Sequence, residues 1–441
     1  LIARDVQTPY SGMLPGYVAG HYDYDQSHVD LRPLTQFANA RLFHDTAVGI
    51  DTKNKQIICE NRPPVSYDLL SINIGSRPEI NSVPGAAEFT TPVKPINRFV
   101  DRWHLLMQRV LEHKGQHRIA VVGAGAAGVE ILLAIQFRLC QLLDQHKRSN
   151  DQLEFHLVRR SKQIMPAFPA SVAQKFEHIL AERQVRVHRG AEAILADEGG
   201  LNLSDGSRIA LDEILWVTGS SAPSWIKESG LAVDDRGFMQ ANDQLQSTSH
   251  SDIFGAGDII NVVNHPRAKA GVFAVRQGKP LADNLRRALL NRPLKPFKPQ
   301  KSLLALVSSG DKYAVANKSF INLGGKFVWT WKDWVDRHWM AKYSNLPVMN
   351  DQHKTSINPS LADKNTLKDI SAIAMRCGGC GAKVGANVLN RAISELKPAP
   401  RDDILIGLHE PDDAAVVEVP AGKVMVHTVD YFRSFIDDPY T

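Results

Sequence analysis

A chain of 441 residues, 43% hydrophobic and 22% charged with no low-complexity tract, should form about two to four globular domains, which excludes fibrous, disordered and many-spanning membrane classes. The formal charge of +5 is small for this length and Lys and Arg are scattered, so no nucleic-acid partner is expected. Cys59, Cys140, Cys377 and Cys380 are too few for a disulfide framework, no apolar run approaches about 18 to 20 residues and the start lacks a secretory pattern; the expectation is a cytoplasmic protein whose membrane contact, if any, is peripheral to the inner face.

Leu1-Ile2-Ala3-Arg4-Asp5 reads as the end of an apolar strand with nothing before it, so the chain is expected to begin inside a fold. Tyr67 to Gly75 reads as a buried strand stopped by glycine and by the turn Ser76-Arg77-Pro78. From about residue 90 to 240 the patterns alternate: helix Arg98 to His113, strand Arg118 to Val122, helix Ala124 to Gln145, strand Glu154 to Val158, helix Ser171 to Arg183. That alternation predicts parallel βαβ units. A strand at Asp252 to Phe254 and a helix from Ala268 to Asn291 follow, and the proline-spaced stretch Pro293 to Pro299 marks a boundary. Residues 301–345 form a smaller unit, 346–369 a polar linker, and 370–441 a separate sequence.

The segment Val121-Val122-Gly123-Ala124-Gly125-Ala126-Ala127-Gly128 joins a strand to a helix. In that context the first glycine permits a tight turn, the second lets a pyrophosphate approach the backbone, and the third lets helix and strand pack closely. The helix N-terminus then faces the anion. Gly123, Gly125, Gly128 and Glu130 are therefore candidate nucleotide contacts. At the end of the next strand, where an acidic residue would hold the ribose of NAD, stand Arg159 and Arg160. They point to NADPH or to relaxed specificity; the alternative is two solvated arginines.

Ile253-Phe254-Gly255-Ala256-Gly257-Asp258 resembles the second FAD motif of the FAD-dependent pyridine nucleotide oxidoreductases with two dinucleotide-binding domains. The resemblance implies that Gly257 and Asp258 meet the flavin ribityl chain, and that the helix beginning near Gly271 and Val272 approaches the isoalloxazine ring, where its dipole favours the anionic reduced flavin. Leu215 to Gly219 is similar to the strand that closes the nicotinamide domain, and Thr8 to Gly16 resembles the stretch after the second FAD strand. The implied fold is α/β, with an FAD domain from 1–90 and 245–300 that lacks its first strand and glycine loop, an NAD(P)H domain at 91–244, and a C-terminal interface unit at 301–345. Neighbouring cysteines are missing before Cys377, so the acceptor is not a protein disulfide. Within the family the nearest resemblance is to type-II NADH dehydrogenases, which reduce quinones. Phe327, Trp331, Trp334, Val335, His338 and Trp339 share one helical side, which suits either a membrane interface, weakened by Asp333 and Asp336, or packing on the same domain.

The last segment has three ordered motifs, Arg376-Cys377-Gly378-Gly379-Cys380-Gly381-Ala382-Lys383, Glu410-Pro411-Asp412-Asp413 and His427-Thr428-Val429-Asp430. Together they resemble the start of selenide, water dikinase, also called selenophosphate synthetase, an α+β ATP-binding enzyme. The resemblance implies a catalytic Cys380 with Lys383, and Asp413 and Asp430 holding Mg²⁺ against ATP. A Cys-x-x-Cys zinc knuckle is the alternative, with its second ligand pair missing. The family's sequence would continue past Thr441, so the chain resembles part of a fusion. The electron acceptor is then a selenium compound or a quinone; a non-catalytic, dinucleotide-sensing scaffold for the dikinase is a third reading, and a homodimer is compatible with each.

Overall fold

The computed structural model describes residues 1–300, 304–318, 321–347, 403–406, 416–419, 421 and 423, and the chain divides into two compact units, Leu1–Met349 and Asn350–Thr441. In the first unit Ile2–Ala3 pairs in parallel with Phe43–His44, and Ala47–Asp51, Gln56–Cys59 and Val65–Ser66 form an antiparallel sheet. Strand β1 (Leu70–Ile72) follows. Next come β2 (Thr91–Pro92), helix α1 (Ile96–Glu112), β3 (His117–Val122), α2 (Ala126–Gln145), β4 (Leu153–Arg159), α3 (Ala170–Glu182), β5 (Arg186–Arg189) and β6 (Glu213–Trp216). These strands form one parallel sheet in the order β5-β4-β3-β6-β2, as alternating helices and strands require.

The sheet is covered on both faces, which is why its central strand is apolar without alternation: Ile119, Ala120 and Val121 are all fully buried. Helix α1 buries Phe99, Val100, Trp103, Leu106 and Val110, spaced at helical period, and leaves its other side polar. Helix α2 is apolar nearly all round. Among the described residues it alone is long and apolar enough on average to cross a membrane, although Glu130, Gln136 and Arg138 interrupt its apolar run. Its burial explains the composition: Val129, Ile131, Leu132, Leu133, Ile135, Leu139 and Leu143 pack into the core beside the sheet.

Strand β7 (Ile253–Gly255) pairs in parallel with β1, and helix α4 (Gly271–Leu289) packs over them. This second core also takes Ile226, Leu231, Met239 and Ala241, because Met239–Ala241 pairs with Ile260–Val262. The last strand of the five-stranded parallel sheet along the chain is thus β6, and Met239–Ala241 belongs to a separate pairing. An antiparallel hairpin sheet, β8 (Ala305–Ser308), β9 (Ala314–Lys318) and β10 (Ile321–Gly325), leads into helix α5 (Lys326–Ser344), and Val307 and Val315 join the core of the parallel sheet. In the second unit Ile404–Ile406 pairs antiparallel with Val416–Val417. Cys380, Lys383, Asp413 and Asp430 lie outside the described residues.

Candidate functional site

Each glycine of the β3–α2 turn has its own steric reason. Gly123 sits at φ +122, and a Cβ there would come within 3.1 Å of the Val217 and Thr218 backbone. Its N–H donates to the Val158 carbonyl at 2.9 Å, tying the turn to β4. At Gly128 a Cβ would lie 1.8 Å from the Gly123 oxygen, so only glycine lets α2 start this close to the strand. Gly125, the residue capping α2, has nothing within 4 Å of a built Cβ. The first-turn N–H groups of α2 thus point across an open cradle at the C-terminal edge of a parallel sheet, the place where a dinucleotide phosphate is held.

Gly219, at φ +63 beyond β6, meets the segment that follows β1: a Cβ there would press Glu79 at 2.8 Å. Arg77 and Ser221 exchange backbone hydrogen bonds of 2.9 Å, so the turn after β1 is stitched to the segment that follows β6 of the parallel sheet. Glu79 and Ser76, which sequence reasoning passed over, are brought here by that pairing.

Beyond β7, Gly257 adopts φ +77, and a Cβ there would meet Asn73 Oδ1 at 2.5 Å. The Gly257 N–H donates to Gln277 Oε1 of α4 at 2.7 Å, which fixes Asp258 at the carboxyl end of β7. Asp258 Oδ2 accepts from Lys94 Nζ at 3.1 Å and from Ser76 Oγ at 3.3 Å. Lys269 stands on the other side; burial pushes its ammonium down, its Nζ donates to the Ile260 carbonyl at 2.5 Å, and it lies 3.8 Å over the Phe238 ring. Gly271 and Val272 open α4, with Ser11 Oγ 3.7 Å from the position of a Gly271 Cβ. Two acceptors' worth of carboxylate, two cations and a helix start without side-chain obstruction are a donor set that fits a flavin's hydroxyls and ring edge.

Two expected contacts point elsewhere. Arg159, at the last position of β4, turns inward: its side chain is 1% exposed, it donates to the Lys162 carbonyl and stands 3.8 Å from Glu177. Arg160 is outward, 81% exposed, beside Glu192. Glu130 is partly buried and accepts from the Ser308 N–H at 2.7 Å and its hydroxyl at 3.1 Å, joining α2 to β8. Burial holds its carboxyl above the usual range, opposed by Lys332.

Helix α5 divides the aromatic stripe. Val328, Lys332, Asp336 and Met340 face inward, where Lys332 Nζ donates to Asp336 Oδ2 at 2.6 Å and to the Gly12 carbonyl at 2.8 Å. Trp339 lies at a tilt beside Tyr10, whose burial and neighbouring Asp336 push its phenol up. Phe327 and Trp334 are 62% and 61% exposed, with Trp331 between them and His338 stacked on Trp334. Asp336 is therefore not on the aromatic face and does not weaken it.

Fold and turn together define an α/β oxidoreductase of the FAD/NAD(P)-binding kind. The chain belongs to the pyridine nucleotide-disulphide oxidoreductase family, whose profile matches residues 1–278. It is 24% identical over 294 residues to the NADH dehydrogenase-like protein YutJ of Bacillus subtilis, covering 66% of this chain and 78% of that one. To the type II NADH:quinone oxidoreductase of Haemophilus influenzae it is 28% identical over 267 residues, 53% of this chain and only 59% of that one. Among solved structures, the sulfide:quinone oxidoreductase of Aquifex aeolicus shares the fold at a TM-score of 0.66 and 16% identity, covering 78% of this chain and 85% of that one. A shorter similarity, 36% over 75 residues, is to selenide, water dikinase of Clostridium botulinum, 17% of this chain and 22% of that one.

Proposed function

We propose that the first unit is an FAD-dependent NAD(P)H oxidoreductase that delivers electrons to a quinone. The observation that carries this is the open cradle at Gly125, stitched through Gly219 and the Arg77–Ser221 pair to the glycine-flanked Asp258 of the second core. When bound, FAD would supply a two-electron acceptor between nicotinamide and substrate. The α2 N–H groups at Gly125 to Gly128 would hold the nicotinamide dinucleotide's pyrophosphate, and Arg160, the outward guanidinium at the end of β4, would meet a 2′-phosphate. Asp258 would accept from the flavin's ribityl hydroxyls, and the N–H groups of Gly271 and Val272 would face the ring. The named activities of the Haemophilus and Aquifex proteins support a quinone acceptor. So does the exposed row Phe327, Trp331 and Trp334, which suits the interface of a bilayer in which quinones dissolve.

The test is the visible spectrum of the full-length protein before and after anaerobic NADH or NADPH, followed by a short-chain quinone. Flavin absorbance should be bleached by the nucleotide and restored by the quinone. A colourless protein that still binds NADPH would replace this reading with a dinucleotide-sensing scaffold.

The short dikinase similarity favours a second reading of the acceptor. In it the segment 370–441 begins a selenide, water dikinase, with Cys380 and Lys383 as its reactive pair and Asp413 and Asp430 for Mg²⁺ and ATP, and the first unit reduces an oxidised selenium compound to feed it. NAD(P)H oxidation stimulated by selenite or a seleno-disulfide, and indifferent to quinones, would select it.

A further inference from the structure

Lys94 is a residue that no motif singled out, and it occupies an unusual place. It follows β2, the edge strand of the parallel sheet, yet its ammonium lies 3.1 Å from Asp258 Oδ2 and 3.4 Å from Ser76 Oγ, in the other core. Asp258 is largely covered, with a side chain 15% exposed, whereas Lys94 is 43% exposed and hangs on a flexible stem. A half-exposed ion pair contributes little to stability, so cohesion alone is a weak reason for this lysine to reach across.

We propose that Lys94 is a positioning residue for the flavin: it guards the Asp258 carboxylate when the site holds no FAD and, with FAD in place, leaves its positive charge at the flavin site so that the reduced form is favoured. The inference rests on the assignment of Asp258 to the ribityl chain. Once hydroxyls donate to Asp258, the ammonium is released from that oxygen and stays within a side chain's reach of the same site. Hydride transfer from NAD(P)H would deliver two electrons and one proton and leave NAD(P)⁺, so a flavin reduced in this site would carry one negative charge until a second proton arrived. A cation in a partly desolvated site lowers the free energy of that anion. Lys269 is the other ammonium near Asp258, but it is already engaged by the Ile260 carbonyl and the Phe238 face, which holds it in place.

The experiment uses full-length wild type, K94M, K94R and D258N, reading FAD affinity by fluorescence and the reduced-to-oxidised ratio of bound flavin in an anaerobic titration with reference dyes. In K94M, FAD affinity should match or exceed wild type, because Asp258 no longer has to give up a partner. At the wild-type midpoint the reduced-to-oxidised ratio should fall about tenfold, and K94R should recover most of it. A ratio unchanged in K94M, or lowered equally in K94R, overturns the proposal; so does K94M losing FAD as D258N does, which would make Lys94 a plain binding residue. Wild-type protein that takes up no FAD removes the flavin assignment itself, and the role of Lys94 falls with it.

Discussion

Gly128→Ala and Gly125→Ala place the same methyl group three residues apart with opposite consequences. At Gly128 the new Cβ would lie 1.8 Å from the Gly123 oxygen and 2.9 Å from its carbon, so restoring a 3.0 Å separation needs a movement of 3.0 − 1.8 = 1.2 Å. Both partners are backbone. The turn is tied to Val158 and α2 is anchored by its buried face, so no side chain can rotate to relieve the contact. Overpacking costs about 1–3 kcal/mol, and a backbone clash puts G128A at the upper end of that range. At Gly125 φ is −71 and no atom lies within 4 Å, so alanine is adopted without strain and stability should change by less than about 0.5 kcal/mol. Its methyl instead fills the space the pyrophosphate would enter. Urea unfolding followed by tryptophan fluorescence should give G125A the wild-type midpoint and G128A a clearly lower one, while NADH titration of G125A shows affinity weakened at least about tenfold. G125A unfolding with G128A, or binding NADH as wild type does, would refute this division of roles.

The buried pair under α5 should behave asymmetrically: K332M strands the Asp336 carboxylate and should cost about 3–5 kcal/mol in urea melts, while K332M/D336L recovers most of the loss. His156 on β4, 3.0 Å from both Glu154 and His188, has its pKa pushed down to about 4, chiefly by burial and further by His188 and Arg186, against Glu154. The native state therefore binds fewer protons than the unfolded chain between about pH 6.5 and about 4, and stability should fall as pH falls through that window. Thermal melts of H156Q should lose that part of the slope. If the outward guanidinium reads the 2′-phosphate, R160A should raise KM for NADPH about tenfold with little change for NADH. R159A should instead lower stability, since its guanidinium is enclosed beside Glu177.

How far the amino-acid order could be read depended on the distance over which each feature is decided. The parallel sheet and its covering helices were legible because period and punctuation act within one element: the expected strand Arg118 to Val122 is observed as His117–Val122, and the expected helix from Ala124 as Ala126–Gln145. The three glycines were legible for the same reason, since a strand-to-helix turn is built by residues within one helical turn of each other. Strand alternation says that Arg159 and Arg160 face opposite ways, but which face β5 and α3 cover is a matter of packing. Period likewise put Phe327, Trp331, Trp334 and Trp339 on one side of a helix, without saying that the wall of the core would fall between Trp334 and Trp339.

Backbone conformation near Gly123 to Gly128, the apolar period of α1 and α2, and hence the family, are thus properties of short stretches of chain. Pairings of charge were decided only in three dimensions. Asp258 meets Lys94 across 164 residues, Glu130 meets Ser308 across 178 and Lys332 meets Gly12 across 320. Burying a carboxylate or an ammonium is tolerated only where folding supplies a partner, and a linear sequence carries no local signal of which distant partner that will be.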